Sequence, residues 1–176
     1  LDRVLNSLFH SPAQQTAPPA EDHVSLPVLQ VFARRNGALC AAIKGGHNGE
    51  NHNHNDVGSF LLYVDGEPTL IDAGNMVYTA KTFSSERYTL WNTQGRNHNL
   101  PMIGSFEEKE GRAHGARNVQ ESENAVELDI APAYPTEAGV TELLRRFTFA
   151  PTMTLTDRVT LDAPQSVTWV FMARHK

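Results

Sequence analysis

From Leu26 onward the apolar residues come in short runs, broken at close intervals by Gly, Pro, Asn and Asp. Runs of four to nine residues with β-branched and aromatic content, bounded by turn formers, are the pattern of strands. They predict strands over residues 28–34, 39–44, 58–64, 69–72, 125–130, 142–149, 152–160 and 166–172. Asn36-Gly37 and Asp65-Gly66 each separate two such runs, as the turns of β-hairpins do. No stretch of ten or more residues in this region keeps a helical period, so the expected fold is all-β, an antiparallel β-sandwich or a closely related barrel. Ahead of it, Leu1, Val4, Leu5, Leu8 and Phe9 suit one short amphipathic helix. Residues 11–22 are rich in Pro, Ala and Gln, and Pro18-Pro19 excludes a regular helix, which makes them a linker or surface loop. The expected division is a helix remnant and linker over 1–25 and a β-sandwich over 26–176.

One segment escapes this description. Between Asp72 and Pro101 the chain carries Gly74, Tyr78, Phe83, Arg87, Tyr88, Trp91, Asn92, His98 and Asn99 without a strand pattern. A long polar and aromatic connection in a small domain is more often functional than idle, and it is expected to cover or line a site.

Composition narrows the function classes. At 176 residues and 40% apolar content the chain has material for one ordinary core and no second full-sized domain. The formal charge of -5, with no basic block, gives no electrostatic reason to bind nucleic acid or anionic lipid. No apolar stretch approaches the roughly 20 residues of a membrane-spanning helix. Cys40 is the single cysteine, so no disulfide forms within the chain, and it reads as a small core hydrophobe. A start at Leu1 and a stop soon after the apolar run 169–172 suggest a fragment or a processed piece.

The densest chemical signal is the run 45–56, which contains His47, His52 and His54 beside several Asn, Glu50 and Asp56. In an extended chain residues two apart face one side, so His52 and His54 can approach one ligand together. Imidazole is a good zinc donor, and the same pair also suits a solvated polar loop. Asp72, at the end of an apolar run, and His98, in Asn97-His98-Asn99, add a carboxylate and a further imidazole. Two His and one Asp leave a fourth zinc position for water or a substrate oxygen.

The runs 51–60, 70–74, 87–92 and 97–99 together resemble the heparinase II/III-like family, over roughly residue 26 to the end of the chain. That family includes lyases of heparin-type glycosaminoglycans and of alginate, and joins an N-terminal α/α toroid to a C-terminal β-sandwich. The resemblance implies that His54, Asp72 and His98 hold zinc and that His52 faces the substrate uronate. It also implies that Arg87 and Tyr88 stand among the substrate-side catalytic groups, and that Asn53 and Asn55 turn away to fix the backbone. A toroid that this chain lacks would supply the principal acid–base Tyr and the Asn or His that grips the carboxylate. The implied partner is an acidic polysaccharide, and the implied location is periplasmic or secreted.

Plainer readings hold elsewhere. Gly45-Gly46 lacks the Lys and Ser or Thr of a phosphate loop. His47, Asn48 and Glu50 suit a surface turn, and Arg146 with Asp157-Arg158 suits charged pairs between strands. Asp129 and Tyr134 resemble a family position near the sandwich. Two rival functions remain at this level. A cupin-like metal enzyme wants a Glu three to four positions after the histidine pair, where this chain has Val57 and Gly58. A non-catalytic carbohydrate-binding or packing module would keep the zinc as a structural ion.

Overall fold

A computed structural model describes residues 22–150 and 152–174, so the expected helix and most of the expected linker lie outside the described residues. The described chain is built from antiparallel strands joined by turns, loops and short 3-10 turns. In one sheet β1 (His23–Leu26), β2 (Val31–Asn36), β3 (Leu39–Lys44), β5 (Phe60–Val64) and β6 (Glu67–Leu70) lie side by side in that order. The two-residue strand β4 (His47–Asn48) leaves this sheet within the long β3 to β5 connection. In the second sheet β9 (Arg117–Ser122), β10 (Ala125–Asp129), β11 (Val140–Thr148) and β12 (Thr154–Leu161) form a meander. Two small pairs complete the frame, β7 (Pro101–Ile103) with β13 (Val167–Trp169) and β4 with β8 (Gly111–Gly115).

Alternation decides which residues meet. Phe32, Ile43 and Phe60 are register partners across β2, β3 and β5, and all three are buried. On the other sheet Val126 and Phe147 stand opposite each other, both buried. The sheets touch where Phe60 meets Phe147 edge to face, ring centroids 5.2 Å apart. Inward residues of both sheets share one apolar core, which is the β-sandwich expected from the pattern. Cys40 falls on the opposite parity from buried Ala41 and Ile43 and is only half-buried, so it is not the core residue its neighbours suggested.

The Asp65-Gly66 turn forms as expected, with Val64 paired to Glu67 and both turn residues at positive φ, 52° and 80°. That backbone is a hairpin-compatible left-handed turn in which Gly carries no steric cost. The first hairpin turns one residue later than expected, on Gly37 and Ala38, because Asn36 still pairs with Leu39. The sheet also begins earlier than residue 26, since His23–Leu26 pairs with β2. Strands β4, β7, β8 and β9 were invisible in the hydrophobic pattern because they are short, or polar as in Arg117–Ser122.

Charged pairs between strands exist but with other partners than expected. Arg145, fully buried, holds Asp157 with two bonds of 2.8 Å, while Arg146 pairs with Glu127 and Arg158 with Glu142. Arg145 lies on the inward parity of β11 between Leu143 and Phe147, which puts a guanidinium inside the sandwich. Its Nη1 donates to the carbonyls of Gly58 and Asn99, at 3.0 and 2.7 Å. Gly58 has φ +83°, and a Cβ there would meet Ile130 Cγ2 at 2.9 Å, so the close approach of this loop to the second sheet requires glycine.

Candidate metal centre

Three stretches converge at one end of the five-stranded sheet: the loop after β4, the end of β6, and the long connection before β7. The first carries His52 and His54, the second Asp72 and the third His98. His54, Asp72 and His98 each offer a ligand atom, and these atoms all lie within 4.8 Å of one another. Asp72 and His98 are 2.9 Å apart at Oδ2 and Nδ1, and the rings of His54 and His98 stand with centroids at 5.4 Å. Two donors on one tetrahedral zinc are about 3.3 Å apart, given bonds of about 2.0–2.1 Å. A contraction of the open side of the triad and a slight parting of the Asp72–His98 contact would bring the three donors to that spacing.

The local structure explains why each group is where it is. Asp72 lies just past β6, and its Oδ1 accepts the Gly74 N–H at 2.7 Å, which fixes the carboxylate over the turn. His98 is fully buried, and its Nε2 donates to the Asn92 carbonyl at 3.1 Å while Nδ1 donates to Asp72. A carbonyl only accepts, so Nε2 carries a proton, and the Asp72 carboxylate favours a second one on Nδ1. Burial alone would lower the His98 pKa, but the hydrogen bond and the charge of Asp72 outweigh it and the pKa is raised. Burial likewise works against charge on Asp72, and the His98 bond with the His98 charge brings its pKa below the usual carboxylate range. His54 goes the other way, pushed down mainly by burial, with His98 and Arg87 adding to it against Asp56 and Asp72. An ionised carboxylate and a neutral imidazole are the forms a cation needs, and the proton on His98 Nδ1 is the one it would replace.

Asn92 closes the site. Its Nδ2 donates to the Gly74 carbonyl at 3.0 Å and stands 3.3 Å from His54 Nε2. Its Oδ1 is buried without a hydrogen-bond partner in the protein, an acceptor still open to a bound species. The donor set of two imidazoles and a carboxylate fits a zinc ion.

His52 sits differently from the expected extended His-Asn-His pair. It is exposed, has φ 58°, and its ring lies parallel to that of Tyr78 at a centroid distance of 5.9 Å. The left-handed backbone breaks the two-residue periodicity, so His52 stays out of the ligand triad while His54 enters it. Arg87 and Tyr88 turn out to brace the residue between the two histidines. The Arg87 guanidinium donates to the Asn53 carbonyl at 2.7 Å from Nη2 and to the Thr82 carbonyl, and the Tyr88 hydroxyl donates to Asn53 Oδ1 at 2.9 Å. Asn53 and Asn55 do fix backbone, Asn53 on the Asn48 carbonyl at 2.7 Å and Asn55 on that of Glu108 at 3.3 Å.

Several contributors escaped the sequence reading. Asn48 is fully buried, not part of a surface turn, and donates to Glu108 Oε2 and the Lys109 carbonyl. Glu108 also accepts the Val57 N–H at 2.9 Å, so a buried carboxyl lies beneath the histidine loop. Tyr78 and Phe83 meet edge to face and, with Val77 at 90% exposure, leave an apolar rim beside His52. Only Arg145 left a readable trace, a charge on the inward parity of β11 between Leu143 and Phe147. Asp129 and Tyr134, which resembled a family position, are structural here: Asp129 ties Arg117 and two backbone N–H groups, and Tyr134 donates to the Pro101 carbonyl at 2.6 Å.

Comparisons with known proteins agree with this architecture. Heparan sulfate lyase HepC from Pedobacter heparinus is 21% identical with a TM-score of 0.63, over 88% of this chain and 24% of that one. A heparinase III structure is 21% identical with a TM-score of 0.65, over 94% of this chain and 27% of its own. A further heparinase III gives 20% and 0.57, over 78% and 22%. These likenesses show a shared fold, and the chain spans about a quarter of the length of the structures it matches. Among curated proteins none matches. The profile described as Heparinase II/III-like, C-terminal, matches residues 18–173, and on that match the chain belongs to the heparinase II/III-like family, whose C-terminal region it carries.

Proposed function

We propose that this chain is the β-sandwich part of a polysaccharide lyase that cleaves uronic-acid-containing glycans by β-elimination, with His54, Asp72 and His98 holding zinc. The observation that carries the reading is the convergence of those three donors from three separate stretches, beside an exposed His52 that is not among them. In such an elimination the proton beside the uronate carboxyl group is removed, the bond to the leaving sugar oxygen breaks, and negative charge grows on the carboxyl group. That charge needs positioned donors or cations. Arg87 supplies a positive charge near His54, and a bound zinc ion would add to the same potential. His52 is the substrate-side group on this chain, an exposed imidazole in the position of a general acid or base. Tyr88 and Arg87 act through Asn53, fixing the backbone between His52 and His54.

The remaining acid–base groups and the sugar subsites are assigned to the parts of the parent protein outside this chain, an N-terminal α/α toroid by family resemblance. One solved relative is a heparan sulfate lyase and others are heparinase III, which makes heparan sulfate the first substrate to assay and alginate the second. A polymer of this kind is met outside the cytoplasm, so a periplasmic or secreted site of action goes with the proposal.

The test is a pair of variants in the full-length parent, read by metal analysis and by the ultraviolet absorbance of the unsaturated uronate product. His54→Ala is expected to lose the metal, whereas His52→Ala keeps it and loses roughly 10²–10⁴-fold in rate, the usual range for a positioned acid or base. A His52→Ala protein with full metal and full rate would instead make the sandwich a non-catalytic carbohydrate-binding or structural module.

A further inference from the structure

The three candidate ligands lie on three stretches of chain, and a residue of the third, Asn99, is hydrogen-bonded through its side chain to backbone adjoining the other two. Asn99 is fully buried and directly follows His98. Its Nδ2 donates to the carbonyl of Phe60, at 2.6 Å, and to that of Ile71, at 3.0 Å. Phe60 opens the strand that follows the His54 loop, and Ile71 immediately precedes Asp72. The Asn99 backbone N–H donates to Ser59 Oγ at 3.2 Å, its Oδ1 accepts the Met172 N–H at 2.7 Å, and its carbonyl accepts from Arg145 at 2.7 Å. Both donors and both acceptors of Asn99, side chain and main chain, are thus engaged.

The place of the amide matters. The ladder between β5 and β6 runs from Val64–Glu67 to Leu62–Leu70 and stops there. Continued, it would bring residues 60 and 61 against 71 and 72. The Asn99 amide stands in that position instead, bonded to a carbonyl from each strand, and the Ile71 N–H turns away to the Met172 carbonyl at 2.8 Å. The two strands are therefore held apart where Asp72 leaves the sheet, by the residue next to His98.

We infer that Asn99 is the positioning residue of the metal centre, setting the separation of the His54, Asp72 and His98 stretches through one buried amide. The inference rests on the zinc reading above. Only an amide of this length meets the demand. Asp has the same size but points acceptors at two carbonyls, and Gln adds a methylene where there is no free surface.

Cobalt(II) is the probe, because its ligand-field bands report coordination geometry in a zinc site without any need for turnover. Wild type, His54→Ala and Asn99→Asp are titrated with cobalt(II), and far-UV circular dichroism verifies folding without metal. Wild type is expected to bind one equivalent and His54→Ala to lose it. Asn99→Asp is expected to stay folded, to bind about 10–100-fold more weakly, the effect usual for groups that orient ligands, and to show shifted bands. A residue that only stabilises the fold would lower the melting temperature and leave affinity and bands unchanged, and that result overturns the inference. Failure of wild type to bind, or binding undiminished in His54→Ala, removes the zinc reading itself and the inference with it. A measurement on wild type alone covers an Asn99→Asp protein that does not fold. The Asn99 side-chain NH2 resonances are expected to be protected from exchange and to shift on adding zinc, and unprotected or unmoved resonances count against the proposal.

Discussion

Glu108 shows what a single buried group does here. Its Oε2 accepts from Asn48 and from the Val57 N–H, but Oε1 has no partner. Burial, with Asp56 adding to it, outweighs those two bonds and the charge of Lys44, and pushes the carboxyl up to about 8. The folded state therefore holds a proton that the unfolded chain releases near the ordinary value of 4.5. The stability this contributes is complete below that value and is lost as pH rises through about 8, at about 1.4 kcal/mol per pH unit while only the folded state keeps the proton. Urea melts between pH 5 and 9 are expected to show that decline in wild type. In Glu108→Gln, where a neutral amide keeps the acceptor for Asn48 and Val57, the decline is expected to flatten. Parallel curves for the two proteins would mean that Glu108 is ionised throughout. Nothing in the sequence marked this residue, because Glu107-Glu108-Lys109-Glu110 reads as a solvated charge run. Only the crossing of the histidine loop over residue 108 takes it out of water.

At the level of elements, β11 and β12 join the site to the second sheet. The Arg145–Asp157 pair is buried at both ends, and Asp157 also accepts from Trp169 Nε1 at 2.8 Å. Removing the guanidinium leaves a buried carboxylate and the carbonyls of Gly58 and Asn99 without their donor. Arg145→Met is expected to lose about 3–5 kcal/mol in urea denaturation, the usual cost of breaking a buried pair from one side. Arg145→Met with Asp157→Asn is expected to recover part of it, and a double variant no better than the single one would assign the loss to the two carbonyls. The alternation of Leu143, Arg145 and Phe147 made the inward position readable, whereas the partner was not. Sequence adjacency favoured Arg146 for Asp157, and the strand register chose Arg145. The same limit explains His52. Its spacing from His54 suggested a shared ligand, and a left-handed turn stabilised by long-range bonds to Asn53 sent the two rings different ways.

For the whole molecule, a metal would close two long loops at once, the chain from His54 to Asp72 and that from Asp72 to His98. A ligand that binds only the folded state raises its stability by mass action, and holding loops together adds to the cost of unfolding. Zinc is expected to raise the melting temperature of the folded chain and excess chelator to lower it, with the shift abolished in Asp72→Ala. An equal shift in that variant would place the bound metal elsewhere. The sequence by itself determined the fold class, since short apolar runs between turn formers leave few arrangements other than stacked antiparallel sheets. It also carried the candidate donors His54, Asp72 and His98, which the resemblance to the heparinase II/III-like family singled out from the other histidines and carboxylates. The tertiary structure alone decided which donors meet, what Arg87 and Tyr88 hold, and that Asn48, Asn99, Glu108 and Arg145 lie inside. Those outcomes depend on contacts between residues far apart in the chain, made when two sheets close on one core, and local pattern carries no information about them.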